Sequence, residues 1–479
     1  MSKAQLRLVR FGIATLACLG FVWACASAAF AAPFLYVSNS GTDNITPFSA
    51  AENGTLTPQA PVAAGDSPLG SAATPNGRFL YVAINGADRV AGFAIAPDGT
   101  LTPVAGSPFP VGINPQNVTV GGEGKFLYVA NFGSDTISIF SIDASGGLSA
   151  VGAPVPTQDG PAQVALSPNG QFTFVPNFGS STISAFAVGG DGTLTAVPGS
   201  PFPVGGTFPN NAIVSPDGAH LYVARRLGNA IHGYSIATSG ALTQLPGSPT
   251  PTGTPEGLAF NSEGTTLYAA NNGSNFIQSL SVSGNGGLTL GPTSPTGVTP
   301  TGLTVGFDGK VLYPANAATN SVTPFTIGTG GALTAVAGSP FPTGGTSPSA
   351  RNNAFVDTDD GADFELTGKA KQKQKGKKVK VKISIDANEP LTAVSGGTLK
   401  GKGLKKAKLK SVTTQLTTAQ TVTVTLKAKG KKTGKKVAKL LGKRKKVTAN
   451  IKVTGTDDLG NAQDRTLKVK LKGKPKKKG

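Results

Sequence analysis

Between residues 33 and 356, short apolar runs alternate with breaks rich in glycine, serine and asparagine. "FLYVAN" at 126–131 and "TISIFSI" at 136–142 are representative. Both are β-branched and aromatic, and too short for helices, so they predict strands. The pattern recurs: Tyr36, Tyr81, Tyr128, Phe174, Tyr222, Tyr268 and Tyr313 stand 45 to 48 residues apart. Nine residues after each comes Ile or Val, and twelve after comes a large, mostly aromatic residue. Twenty after comes leucine every time, from Leu56 to Leu333. Thirteen before each anchor except the first stands a proline, from Pro68 to Pro300. A glycine four residues before each anchor from Tyr81 onward marks a tight turn, where positive φ costs little.

Seven such units of four short strands predict an all-β, seven-bladed β-propeller over residues 32–356. A blade cannot bury both faces alone, so the repeated aliphatic and aromatic positions are expected to pack between blades. The ends predict ring closure. The first unit begins at "FLYV" without an inner strand, and "SARNNAFV" at 349–356 has the pattern of an inner strand with no blade after it. The C-terminal strand is therefore expected to complete the first blade. "LTPVAGSPFPVG" at 101–112 returns at 194–205 and 333–344, with a weaker echo at 242–253. Its prolines predict an extended crossing from an outer strand to the next inner strand. Phe109, Phe202 and Phe341 are expected to fill the seams between blades.

Composition changes the picture at both ends. Lys3, Arg7 and Arg10 precede an apolar run, and Ala29-Phe30-Ala31 fits a cleavage site, so residues 1–31 read as a signal peptide. Retention as an anchor is the alternative. Cleavage would remove Cys18, Cys25 and the only Trp and Met, leaving no disulfide or thiolate chemistry. The net charge of +20 is unevenly spread. Residues 33–356 carry 7 Lys/Arg against 14 Asp/Glu, whereas residues 357–479 carry 34 against 10. That shift marks a boundary. "DTDDGADFE" at 357–365 reads as an acidic linker, its glycine and glutamate misplaced for a calcium loop.

From 366 to 472, alternation of Val, Ile and Leu with Lys, Ser and Thr predicts strands at 379–385, 422–426, 447–453 and 467–471. "KKVAKLLGKRKK" reads as a short helical crossover and 473–479 as a disordered tail. The module resembles the lysine-rich immunoglobulin-like β-sandwich of some secreted bacterial proteins. So much positive charge predicts retention on an anionic wall polymer or lipid surface. Phe364 is the only aromatic residue after the boundary, so base stacking and sequence-specific nucleic-acid binding are not expected.

The "LYVAN"-type units, "SPDG" turns and "LT.V.GSPF" phrases resemble the YVTN-repeat, 6-phosphogluconolactonase-like family of seven-bladed propellers. The resemblance spans residues 33–356 and implies a site for sugar lactones over the channel. It implies Arg-His after an inner-strand proline and Glu after the "YVxN" asparagine. The first positions hold Leu69-Gly70, Gln116-Asn117, Ala162-Gln163, Asn210-Asn211, Glu256-Gly257, Thr301-Gly302 and Ser349-Ala350. The second hold Ser40, Asn85, Phe132, Phe178, Arg226, Asn272 and Ala317.

Inner strands line a propeller's channel, so Gln116, Asn117, Gln163, Asn210, Asn211 and Glu256 are candidates for a polar ring that binds a glycan or small polar ligand. Binding channel water is the plainer alternative. The asparagines three after the anchors recur in five units and predict a turn-holding role; Ile84 and Arg225 break the rule. Arg225-Arg226 with Glu256 is expected to form a charged pocket, or else a surface ion pair. His232 lies within a third strand, and His220 is expected in a turn, facing outward. The leading expectation is an exported, monomeric binding or scaffold module at the cell surface, without metal or cofactor. The alternative is a lactonase-family hydrolase using Glu256 as general base and Arg225 or Arg226 on the oxyanion.

Overall fold

In the computed structural model, residues 33–306, 309–349 and 353–356 are described, as are strand backbones between 364 and 473. The signal segment, most of the acidic linker, the expected crossover at 435–446 and the tail lie outside the described residues. Seven antiparallel blades follow one another from Phe34 to Val356. Blade five is representative: Pro209–Val214, His220–Arg225, Ala230–Ile236 and Leu242–Gln244, from the axis outward. The ring closes as the sequence predicts. Ala354–Val356 pairs with Phe34–Tyr36 as the inner strand of blade one, and Pro348 bridges Asn39.

The anchor tyrosines are fully buried and explain why the period is strict. Tyr81 packs between blades two and three, and its hydroxyl donates to the Gly146 carbonyl in the next blade at 2.9 Å. Tyr36, Tyr128, Tyr222 and Tyr268 reach Gly99, Gly192, Gly286 and Gly331 in the same way. Those glycines sit at φ near +80°, and a Cβ on each would strike the preceding blade, on Phe34, Phe79, Phe126, His220 or Thr266. His220 thus takes a phenylalanine's place. It opens a strand and covers Gly286, rather than facing outward from a turn.

The "GSPFPVG" phrase is a correction to the expected crossing. Phe109–Pro110 turns back onto its own blade and pairs with Arg89–Val90, while Leu101–Pro103 pairs with Phe93–Ile95. The outer strand is therefore split in two, and its midpoint leaves a third-strand N–H open. Serine fills the gap: Gly92, Ala185 and Gly233 N–H donate to Ser107, Ser200 and Ser248 Oγ at 2.9 Å. In blade seven the matching residue is Pro324, which has no N–H, and Ser339 donates instead to the Val336 carbonyl at 2.7 Å. Phe109 fills the seam between blades two and three as expected, and Phe202 and Phe341 pack against their own inter-blade clusters.

Beyond residue 363 the backbone forms two sheets. One holds Phe364–Thr367, Lys380–Ala387 and Gln420–Lys427; the other is built on Leu391–Gly401, Val447–Asp457 and Ala462–Gly473. Strands occur where the alternation predicts them, and the first includes the last two residues of the acidic segment.

Candidate functional site at the channel mouth

Inner strands begin, and second strands end, at the same mouth of the channel, because the two are antiparallel: Pro209 lies opposite Arg225 and Pro255 opposite Asn271. The hairpin there is held by one recurring device. Asn39, Asn131, Asn177 and Asn316 are buried, and each Nδ2 donates to the hydroxyl seven residues on, Thr46, Ser138, Ser184 or Thr323, at 2.9 Å. Blade two replaces the pair with Ile84 and Ala91, and blade six with Asn271 and Gln278. Blade five replaces it with Arg225 and His232, and Arg225 Nη1 lies 2.7 Å from His232 Nε2.

The arginine pair divides. Arg225 turns into its own blade, where Nη1 donates to the Gly205 carbonyl and Nε to that of Thr207, both at 3.4 Å. A Cβ at residue 206 would collide with its guanidinium, which requires the glycine there. Arg226 crosses to blade six, its Nε 3.6 Å from Glu256 Oε2. Glu256 is 2% exposed and Arg226 45%, so the carboxylate is buried under its partner rather than solvated. Burying an unpaired carboxylate costs several kcal/mol, so this contact holds the site's charge in place. Gly257 lets the inner strand of blade seven approach; a Cβ there would strike the Thr301 carbonyl.

The amides are not equivalent. Gln163 is committed to structure, its Oε1 accepting the Ala212 N–H of the next inner strand at 2.7 Å. Asn117 Oδ1 accepts from Thr119 Oγ1 at 3.2 Å. Asn210 and Asn211 are buried, Gln116 is half-buried, and Asn211 Oδ1 finds no partner among the described residues. His232 is buried, and burial together with the neighbouring Arg225 lowers its pKa to about 4, so it is neutral at pH 7.

Three phenylalanines not expected from the sequence gather at this mouth. Phe132 and Phe178 directly follow the second strands of blades three and four, and Phe208 precedes the inner strand of blade five. Ring centroids lie 5.9 Å apart for Phe132–Phe178 and 4.7 Å for Phe178–Phe208, and all three side chains are half-buried. Phe208 has φ +62°, a left-handed conformation that costs a bulky residue roughly 1–2 kcal/mol. The matching residues elsewhere are Ser67, Asn114, Gly160, Thr254, Thr299 and Ser347. That contrast is the sequence signal that finds it.

At the opposite ends of the inner strands, a cavity of about 450 Å³ is lined by Ile213, Leu258, Phe260, Leu303 and Val305. Its Thr304 hydroxyl is engaged by the Asn353 carbonyl, so the apolar lining dominates there. Among the described residues no cluster of three or more His, Cys, Asp or Glu side chains is placed to hold a metal ion.

Comparison with known proteins agrees with this architecture. The chain superposes on a candidate 6-phosphogluconolactonase from Bacteroides fragilis with TM-score 0.60 and 21% identity, covering 68% of this chain and 98% of that one. A periplasmic gluconolactonase from Pseudomonas aeruginosa gives 0.58 and 20%, with 68% and 99% covered. A protein from Lactobacillus plantarum gives 0.59 and 22%, again with 68% and 99% covered. At these identities the likeness concerns the fold. No curated protein sequence matches the chain. The profile of the seven-bladed β-propeller lactonases matches in overlapping stretches, 27–112, 70–160, 111–208, 148–260, 205–296 and 252–347. Together they span well over half of the sequence, and the chain belongs to the lactonase family of seven-bladed β-propellers.

Proposed function

We propose that this protein hydrolyses a sugar lactone at the mouth formed by blades four to six. The carrying observation is Glu256, a carboxylate buried beside the channel and held by a half-exposed arginine at 3.6 Å. In this reading Glu256 takes a proton from water as the hydroxide adds to the lactone carbonyl. Arg226, whose guanidinium is always charged, stabilises the oxyanion. The ring C–O bond then breaks, Glu256 returns the proton to the leaving alkoxide, and an aldonic acid is released. The family and its lactonase-named structural neighbours support this reading over a binding or scaffold module, which the run of amides favours.

The test is a sugar-lactone panel followed by pH-stat with the full chain and with Glu256→Gln. Turnover that falls at least about a hundredfold in the variant is expected for a general base. Absence of turnover across the panel, with ligand still bound, would return the protein to the binding reading. Export and retention on an anionic surface belong to the same proposal and rest on the N-terminal and lysine-rich segments. Sedimentation with anionic vesicles should be lost in high salt; salt-independent binding would oppose an electrostatic mode.

A further inference from the structure

We propose that Phe132, Phe178 and Phe208 form a stacking platform for an uncharged sugar ring, so that the lactone this protein takes carries a second sugar unit. The inference rests on the hydrolytic reading above for the lactone, but not for the platform.

Four observations converge. First, the rings are half-buried, keep part of their surface open and are contiguous, with steps of 5.9 and 4.7 Å. Such a row is longer than one pyranose ring and offers the flat apolar surface that the C–H face of a sugar covers. Second, the residue before the inner-strand proline is left-handed in five other blades too, at Ser67, Asn114, Gly160, Thr299 and Ser347, and only blade five puts a bulky side chain there, Phe208. The turn sets the backbone, and the bulky ring is the part that departs from the repeat, at a conformation that suits such a residue least.

Third, the loop carrying Phe208 has its own fastening. In five other blades, Asp43, Asp88, Asp135, Asn275 or Asn320 accepts the N–H of the residue before the next inner-strand proline. Blade four has Ser181 at that place, and Arg225 grips the Gly205 and Thr207 carbonyls instead. Arg225, backed by His232, is thereby a positioning residue for the platform.

Fourth, the surroundings suit a neutral polyol. Phe208 leads directly into Pro209, Asn210 and Asn211, and Asn211 Oδ1 is a buried acceptor without a partner among the described residues. Amides serve hydroxyl groups as donor and acceptor. The platform is continuous with the reaction site, because Pro209 pairs with Arg225 and the next residue, Arg226, meets Glu256.

The experiment compares kcat/KM for glucono-δ-lactone with that for the lactones of cellobionic and maltobionic acid, using the full chain. Phe178→Ala and Phe208→Asn are run beside it, the second placing in blade five the residue that Asn114 supplies in blade three. A preference of about tenfold for at least one disaccharide lactone is expected, collapsing toward one in both variants. Equal kcat/KM for one-sugar and two-sugar lactones would overturn the proposal. Calorimetric titration with cellobiose and maltose separates the platform from the chemistry. If no lactone is turned over, the hydrolytic reading fails, and disaccharide binding weakened about tenfold in Phe208→Asn still establishes the platform. No binding of either disaccharide would overturn it, and thermal unfolding of each variant shows whether a loss is local.

Discussion

Arg225 Nη1 lies 2.7 Å from Nε2 of His232, so two nominally basic side chains share one part-buried contact. The arrangement holds only while the imidazole is neutral and accepts the guanidinium proton. Burial, then the charge of Arg225, brings the histidine from 6.5 down to about 4. Its folded pKa is below its unfolded value, so the unfolded chain takes up the proton first as pH falls. Stability is therefore full above about pH 6.5 and declines toward about pH 4, by on the order of 2–3 kcal/mol from this residue. Urea midpoints across that range should fall more steeply for the natural protein than for Arg225→Asn/His232→Thr, which carries the Asn39–Thr46 pairing of blade one. Equal slopes would show that His232 is not the titrating group.

The same pair should behave as a unit. Arg225→Asn alone removes the donor to Gly205 and Thr207 and leaves His232 Nε2 buried, at a cost of about 1–3 kcal/mol. Adding His232→Thr should recover part of that loss, and a double-mutant cycle on urea midpoints measures it. Strict additivity would contradict a coupled pair.

Blade four lacks the tyrosine staple because its anchor is Phe174. The Gly240 carbonyl occupies the place that Gly146 has opposite Tyr81, at φ +83°. Phe174→Tyr should raise stability by about 0.5–1.5 kcal/mol, and Tyr81→Phe should lower it by a similar amount. Calorimetric Tm values for the two variants should move in opposite directions.

The split outer strand makes two similar serines unequal. Ser107→Ala leaves the Gly92 N–H without its acceptor and should cost about 1–3 kcal/mol. Ser339→Ala removes only a donor to the Val336 carbonyl, since Pro324 has no N–H to satisfy, and should cost less. Matched unfolding curves for the two variants would refute this account of the motif.

Ring closure depends on three residues far from blade one in sequence. Ending the chain after residue 347 removes Ala354–Val356 and exposes the edge of Phe34–Asn39, along with the core around Tyr36 and Leu80. Such a chain should aggregate, as light scattering would show, whereas one ending after 363 should not. A monodisperse, fully stable truncation at 347 would mean the ring holds without its closing strand.

The repeat, the number of blades and the closing strand were all legible in the sequence, because each blade solves the same packing problem with the same spacing. Tyr81, Gly146 and their counterparts recur for that reason. The Arg225–His232 contact was half legible: aligning residues three and ten after each anchor shows Asn with Ser, Thr or, once, Gln, Ile with Ala, and Arg with His. The path of "GSPFPVG" was not, since a two-residue strand has too little pattern to reveal its partner. Nor could the sequence say which arginine meets Glu256, or that Phe132, Phe178 and Phe208 converge from successive blades. Those contacts join units about 46 residues apart, and only the curvature of the ring, set by the packing of every seam, brings them together.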